Sequence, residues 1–354
     1  MKTRKYFPIF VLGLVLAGIQ QLTQMTGTVY YLTQMTMTTY YALLIIGLCL
    51  VMGYAGQISL GHAGFFAIGG YTSAVLTTYD LTPLLNNGNS FISLLSASGL
   101  LVSRENLYGE ALLSVNPWIA CITAIIVTVV IAFLIGIPVL KLKGHYLAMA
   151  TLGFGIIIFR VVLATEIFGE ADGISDVPGF PLFPGIIVNG DFSNRVQNYY
   201  IACILLIIGF ILLQNLIDSR VGRALRAIHG SEEAANAMGV NTSRYKLYTF
   251  VLSAVFAAIA GIFLTHYNGG IGPSEAGIMK SVRYVAIVAI GGMANLWGAL
   301  IMAALLNFLS LRGMFGSYDD AVFGAILIII MLFAPHGVLR LPLWHFFKKS
   351  SSNT

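Results

Sequence analysis

The residues Ser231-Glu232-Glu233-Ala234-Ala235-Asn236-Ala237-Met238-Gly239 form a short charged segment between two long apolar runs, and the chemistry they can do is docking. Ser231 is a good helix N-cap, Glu232 and Glu233 suit the positive end of a helix, and Gly239 suits the left-handed position after its end. Ala234, Ala235 and Ala237 favour helix and project so little that a neighbouring surface can approach the backbone. The segment reads either as a peg for a cleft on another protein or as an ordinary amphipathic connector.

Residues suited to bond-making are scarce. No Gly-x-x-x-x-Gly-Lys-Ser/Thr loop, His-Glu-x-x-His or Gly-x-Ser-x-Gly motif occurs in the chain, so hydrolysis by this chain is not expected. Cys49, Cys121 and Cys203 sit at wide spacings inside apolar runs, which argues against a disulfide framework or a zinc site. His62, after Gly56-Gln57-Ile58-Ser59-Leu60-Gly61, serves either as a hydrogen-bonded packing residue or as a group that bonds a solute or relays a proton. Arg160 is close enough to a span end to snorkel outward, the alternative being contact with a solute carboxylate. His145 and His266 read as interfacial.

A charge at mid-bilayer costs at least about 2.5 to 3.5 kcal/mol on insertion scales, so ion-coupled transporters keep such groups only where they are used. The chain lacks a row of buried acids, which speaks against a proton or sodium pump, and the energy must come from elsewhere. The inlet is the segment 218 to 245, where Arg220, Arg223 and Arg226 recur on one helix face just before the peg. A solvated basic face near lipid headgroups is the other meaning of those arginines.

These residues need a membrane scaffold to position them. Hydrophobic residues are 58% of 354 and charged residues only 9%, against roughly 25% charged in an average soluble domain. The expectation is an all-α polytopic membrane protein, residues 1 to 354 as a single transmembrane domain, with roughly 8 to 10 transmembrane helices. Candidate spans are residues 7 to 22, 38 to 55, 58 to 79, 117 to 140, 145 to 165, 199 to 217, 247 to 267, 282 to 311 and 321 to 335. The polar stretches 80 to 116, 166 to 198 and 218 to 245 read as loops. The basic start at Lys2, Arg4 and Lys5 also fits a signal peptide, but without a convincing small-residue cleavage site a retained first span is favoured.

The formal charge of +5 is explained by span ends rather than by nucleic acid. With a cytoplasmic N-terminus, Lys141, Lys143, Arg220, Arg223, Arg226, Arg244 and Lys246 all fall inside, and Glu166, Glu170, Asp172 and Asp176 fall outside. Residues 282 to 311 are too long for one simple span, and Gly291-Gly292 is the natural break. Two short passes leave Asp319 and Asp320 outside and bring Arg340, Lys348 and Lys349 inside with the C-terminus. Gly53, Gly56, Gly61, Gly64, Gly69 and Gly70 crowd the third span, for close helix packing or for a broken backbone along a translocation path.

The chain resembles the membrane permeases of ATP-binding cassette importers, whose cytoplasmic loop carries Glu-Ala-Ala-x-x-x-Gly, matched by Glu233-Ala234-Ala235 and Gly239. More narrowly it is similar to the LivM-type permeases of branched-chain amino acid uptake, from about residue 38 to 339. The blocks that carry the likeness are Gly53-Tyr54-Ala55-Gly56-Gln57-Ile58-Ser59-Leu60-Gly61-His62, Tyr146-Leu147-Ala148, Thr151-Leu152-Gly153-Phe154-Gly155, Gly173-Ile174-Ser175, Gly222-Arg223-Ala224-Leu225-Arg226-Ala227-Ile228, Arg244-Tyr245-Lys246-Leu247, Gly291-Gly292-Met293, Phe323-Gly324-Ala325 and Pro335-His336-Gly337. The resemblance implies residence in a bacterial inner membrane and a second permease subunit, with a heterodimer expected. It also implies two cassette ATPase subunits that use ATP and magnesium, and an extracytoplasmic solute-binding protein. No cofactor is expected on this chain.

By the same resemblance, Gly222, Arg223, Arg226, Glu232, Glu233, Ala234, Ala235 and Gly239 couple to the ATPases, and Gln57, Ser59, His62, Thr151, Gly153, Gly291 and Gly292 line the path. The chain departs from the family pattern at Ile156, where a Glu is common, with the nearby arginine displaced to Arg160. It departs again at Gly169-Glu170-Ala171-Asp172-Gly173, at Lys280, where a Glu is expected before Ser281, and at the added Arg283. These departures bear on the solute: branched-chain amino acids come first, with urea, short amides or other amino acids behind. Rival classes are an ion-coupled secondary transporter and a membrane enzyme, which would need a coupling-ion site or a nucleophile or metal cluster at membrane depth.

Overall fold

The element at the centre is one whose sequence is uncharged on every side. Helix α2 (Tyr31–Cys49) runs on into a π-helical turn, Leu50–Tyr54, and carries no charged residue. Of its most apolar window 89% is buried, against 17% for helix α1 (Thr3–Met25), so α2 is the core and α1 faces lipid. The computed structural model describes residues 3–86, 99–105, 111–314 and 316–333. Six described helices are long and apolar enough to cross a membrane, joined by shorter apolar ones.

Around α2 stand α3 (His62–Thr78), α4 (Pro117–Val139), α5 (His145–Ala164), α6 (Arg195–Asp218), α9 (Thr242–Asn268) and the pair α10 (Ile278–Gly291) and α11 (Leu296–Leu311). Helix α12 (Asp319–Phe333) packs on α10. Two short helices, α7 (Arg220–Gly230) and α8 (Glu232–Ala237), lie between α6 and α9. Helix α4 shows how pattern sets position. Ile122, Ile126, Val130 and Leu134 recur every fourth residue and are exposed, while Ala120, Ala124, Thr128, Ala132 and Gly136 on the other side are buried. The large stripe meets lipid; the small stripe lets α4 approach α3 and α9 closely.

Glycine makes the tightest crossing. A Cβ on Gly261 of α9 would sit 2.1 Å from the Phe66 carbonyl oxygen, and one on Gly69 of α3 would sit 2.6 Å from the Ala258 Cα. Those two helices touch backbone to backbone. The close-packing meaning of the glycine-rich third span therefore holds at Gly69 and Gly70, where the latter would meet Thr265 Oγ1 at 2.6 Å.

The span expected at 58 to 79 is helical only from His62, because the chain turns at Gly56, φ +67°, and its next donors are met by side chains instead of a helix ladder. The Leu60 amide donates to Thr151 Oγ1 at 3.0 Å and the Ala63 amide to Ser281 Oγ at 3.2 Å. The expected break at Gly291-Gly292 is present, with α10 and α11 on either side. Gly292 has φ +97°, and Asn295 Oδ1 caps α11 by accepting from the Gly298 amide at 3.1 Å.

The stretches 80 to 116 and 166 to 198 contain more order than loops. Leu101–Glu105 pairs with Ala111–Val115, Phe180–Phe183 with Ile186–Val188, and Ile174–Ser175 reaches across to Gly270–Ile271. These ladders are anchored by Phe180, fully buried with its ring centroid 5.3 Å from those of Phe263 and His266. His266 is accordingly not interfacial: it is fully buried, bonded to Ser73 Oγ at 2.8 Å and to the Pro178 carbonyl at 2.7 Å. Alternating hydropathy cannot reveal such short strands, and the partner of Ile174–Ser175 lies on a distant loop.

Two contacts fix relative sides. Tyr6 donates to Asn215 Oδ1 at 3.0 Å, placing the start of α1 beside the end of α6 and hence beside α7 and α8. Gln34 donates to the Leu311 carbonyl at 3.4 Å, placing the start of α2 beside the end of α11, on the opposite side. Pro335, His336, Gly337, Arg340, Lys348 and Lys349 lie outside the described residues, as does Lys2.

Candidate functional site

The segment from Asp218 to Tyr245 is a chain of capped turns. Ser219 Oγ accepts from the Val221 amide at 3.1 Å, Ser231 Oγ from Ala234 at 3.3 Å and Asn241 Oδ1 from Arg244 at 3.1 Å. Such caps contribute about 0.5–2 kcal/mol each, so short helices persist that would not form alone. Gly239, φ +82°, closes α8 as the sequence requires, with its amide on the Asn236 carbonyl at 2.9 Å.

Helix α8 has two unlike faces. Glu232 is turned into the protein, where its carboxylate pairs with Lys246 and accepts from Thr242 Oγ1 at 3.3 Å. Ala235 is buried beside it, and Lys246 is only 8% exposed, so this face is clamped to the first turns of α9. The opposite face carries Glu233, Ala234, Ala237 and Met238 in the open. The Glu233 side chain is 87% exposed, with one long contact to Lys143 at 3.5 Å. Of the coupling residues read from sequence, Glu232 and Ala235 thus seat the helix, and Glu233 and Ala234 are presented.

Gly222 and Arg226 also work inward. A Cβ on Gly222 would sit 1.9 Å from the Ile217 carbonyl oxygen, and Arg226 donates to that same oxygen at 2.6 Å and to the Gly222 carbonyl at 3.3 Å. The guanidinium caps the end of α6 and fixes the angle at which α7 leaves it. Arg223 is exposed, as is Arg220.

The presented helix is connected to the broken backbone. A cavity of about 150 Å³ is lined by Gly56 and Gln57 from the turn after α2, by Lys143 from the α4–α5 connection, by Leu147 from the first turn of α5, and by His229, Glu232 and Lys246 from the α7–α9 segment. Gln57 is buried, and neither of its side-chain amide atoms has a hydrogen-bond partner among the described residues. Just beyond it, Ser59 Oγ meets His62 Nδ1 at 3.0 Å and Ser253 Oγ meets His62 Nε2 at 2.7 Å. Both imidazole nitrogens are occupied by hydroxyls, the packing arrangement for His62.

Thr151 joins this group through the Leu60 amide, whereas Gly153 does not: nothing lies within 4 Å of its would-be Cβ, and Gly155 makes the approach to Gly61. The second break stacks on the first. A Cβ on Gly53 would sit 2.2 Å from the Ala294 amide nitrogen, and one on Gly291 would sit 2.6 Å from the Gly298 carbonyl across its own turn. Gln57, Ser59, His62 and, through its bond to Leu60, Thr151 therefore lie along one turn, the second break at Gly291-Gly292 meets the first through Ala294 against Gly53, and Gly153 faces away.

Lys280 and Arg283 stand out in the sequence as departures from the family pattern, but Glu275, the partner of Lys280, does not. Glu275 and Lys280 pair at 3.1 Å, and Tyr41 donates to Glu275 at 3.0 Å. The signal was available, since Glu275, Lys280 and Arg283 are the sole charged residues between Lys246 and Arg312, histidine aside. Arg283 pairs with Asp319 at 2.9 Å.

The profile of a family described as the permease component of branched-chain amino acid transport systems matches residues 30–331. The chain belongs to this family. Among its relatives, the high-affinity branched-chain amino acid permease LivM of Salmonella typhimurium is 32% identical over 319 residues, covering 84% of this chain and 67% of that one. BraD of Pseudomonas aeruginosa, of the same described function, is 27% identical over 315 residues, covering 85% and 92%. The ribose import permease RbsC of Haemophilus influenzae is 24% identical over 300 residues, covering 78% and 88%. No solved structure matches the chain. As a member of the permease family it is a multi-pass membrane transport subunit and not an enzyme.

Proposed function

We propose that this chain is the membrane-spanning permease subunit of an ATP-binding cassette importer for branched-chain amino acids, driven through α8. The single observation that carries the reading is the two-faced helix: one side clamped by Glu232–Lys246 and Ala235, the other offering Glu233, Ala234 and Ala237 to a partner. A rigid lever needs both. The partners are a second permease subunit, making a heterodimer, two cassette ATPases that consume ATP and magnesium, an extracytoplasmic solute-binding protein and membrane lipid. This chain itself holds no cofactor and no nucleic acid.

The helix faces the inner side of a bacterial plasma membrane, supported by Lys141, Lys143, Arg220, Arg223, Arg226 and Arg244 gathered at that end. Both termini are placed there with it. Closure of the ATPases moves α8, and the cavity beneath it hands that movement to Gly56 and Gln57, where the backbone of the path is broken. The solute assignment draws on the LivM and BraD relatives, while the ribose permease among the relatives signals that one scaffold serves chemically different solutes. Urea, short amides and other amino acids are the competing cargoes.

The test is uptake of labelled leucine into proteoliposomes holding the complete assembly, with ATP supplied on one side and loaded binding protein on the other. Leucine, isoleucine and valine are expected to enter and to compete with one another, with urea and ribose ineffective, and only when ATP is on the face bearing α8. Uptake of urea in place of leucine, or ATP acting from the other face, sinks the assignment.

A further inference from the structure

The Glu275–Lys280 pair lies at a depth where charge is expensive. Tyr41, which it embraces, is ten residues into α2, about 15 Å below the start of that helix at 1.5 Å per residue. Both Glu275 oxygens accept from the Tyr41 hydroxyl, at 3.0 and 3.1 Å, and Lys280 Nζ lies 3.2 Å from the same hydroxyl and 4.9 Å from the ring centroid. The pair is neither sealed nor free: the Lys280 and Glu275 side chains are 26% and 19% exposed. Ionisable groups inside a membrane are retained where something passes or binds.

Packing alone does not account for the polar groups around this pair. The hydroxyls of Tyr71 and Tyr284 are buried with no hydrogen-bond partner among the described residues, although both residues lie within electrostatic reach of Glu275. The Tyr284 ring centroid is 6.1 Å from that of Tyr41. An unmet buried hydroxyl costs about 1–3 kcal/mol, so two of them beside an ion pair are spare capacity for a polar guest. Arg283, one turn on, is by contrast engaged with Asp319 and Ser310.

We propose that Glu275 and Lys280, with the hydroxyls of Tyr41, Tyr71 and Tyr284, form a transient site for the zwitterionic head of an α-amino acid on its way through the permease. The ammonium replaces Lys280 on Glu275, the carboxylate replaces Glu275 on Lys280, and the tyrosine hydroxyls donate to the carboxylate. A neutral amide or a sugar cannot satisfy both charges once the pair is parted, and leaving one buried charge unmet penalises it. The proposal rests on the amino acid permease reading above.

Two variants test it in the complete assembly, with leucine uptake and basal ATP hydrolysis measured together. Tyr284→Phe removes a hydroxyl that has no partner among the described residues, so a purely structural residue would leave uptake and thermal stability unchanged or improved. The site predicts instead an uptake rate lower by about three- to tenfold, the worth of one hydrogen bond, with ATP hydrolysis and stability retained. Lys280→Met is expected to lower uptake further. Unchanged uptake in Tyr284→Phe overturns the site even if Lys280→Met fails to assemble. A wild-type assembly that moves only uncharged solutes overturns the amino acid reading on which the site rests, which is a distinct outcome.

Discussion

ATP-driven uptake falls about 30-fold or more when Glu233 becomes Lys and Gly239 becomes Val, while the protein still inserts and its helices still pack. Truncating or reversing an anchor at the centre of an interface costs about 2 kcal/mol or more, and 30-fold corresponds to roughly that figure. Glu233 is the natural anchor, because its side chain is 87% exposed and among the described residues its one ion pair is with Lys143, at 3.5 Å. Gly239 adds a backbone requirement: at φ +82° a β-branched residue is strained, so the turn that ends α8 opens and the helix loses its fixed orientation. Neither substitution touches the buried core around α2. The measurement is uptake and ATP hydrolysis by the purified assembly, with co-purification of the ATPases. Full uptake by the double variant would remove α8 as the point of coupling.

Lys246→Met attacks the other face of the same helix. The carboxylate of Glu232 would then remain under α8 with Thr242 but without its cation. Removing one partner of a wholly buried pair costs about 3–5 kcal/mol, and the 26% exposure of Glu232 reduces this through solvent screening. A cost near 1.4 kcal/mol already means a roughly tenfold loss of the seated state. Uptake is expected to fall about that much, with ATP hydrolysis surviving because Glu233 can still dock. The double variant Glu232→Gln with Lys246→Met leaves no unpaired charge and is expected to recover part of the loss. If the single and double variants transport equally, the ion pair does not seat the lever.

Much of this was legible in the sequence because single helices advertise themselves. Ser231, Glu232 and Gly239 announce a capped helix, and a helix with those ends is present. Gly291-Gly292 announces a break, and the chain turns there. What the sequence could not supply is which side of a six-residue helix faces home. Glu232 and Glu233 are chemically alike, and the difference between anchor and peg comes from Lys246, fourteen positions on and brought back by the fold. Arg226 is a similar case, read as a partner contact but folded onto the Ile217 carbonyl.

The same limit applies within the membrane. Gly153 and Gly155 are indistinguishable by composition, yet only Gly155 faces α3, since helical rotation between neighbours two apart turns them to different sides. The extent of the third span was misread because apolar composition continues through Ile58 and Leu60, while the backbone bonds there go to Thr151 and Ser281 on other helices. His266 was read from its place near a helix end, and burial under Phe180 could come only from a distant loop. Glu275 and Lys280 were visible as rare charges, but their joining through Tyr41, far away in the chain, was not.

The most direct test compares this chain purified alone into liposomes with the same chain reconstituted beside its second permease, the ATPases and loaded binding protein. Alone, with any ion gradient imposed, it is expected to concentrate no solute, and the full assembly is expected to accumulate leucine when ATP is present. Uphill accumulation by the chain on its own would contradict the claim that its power arrives through α8.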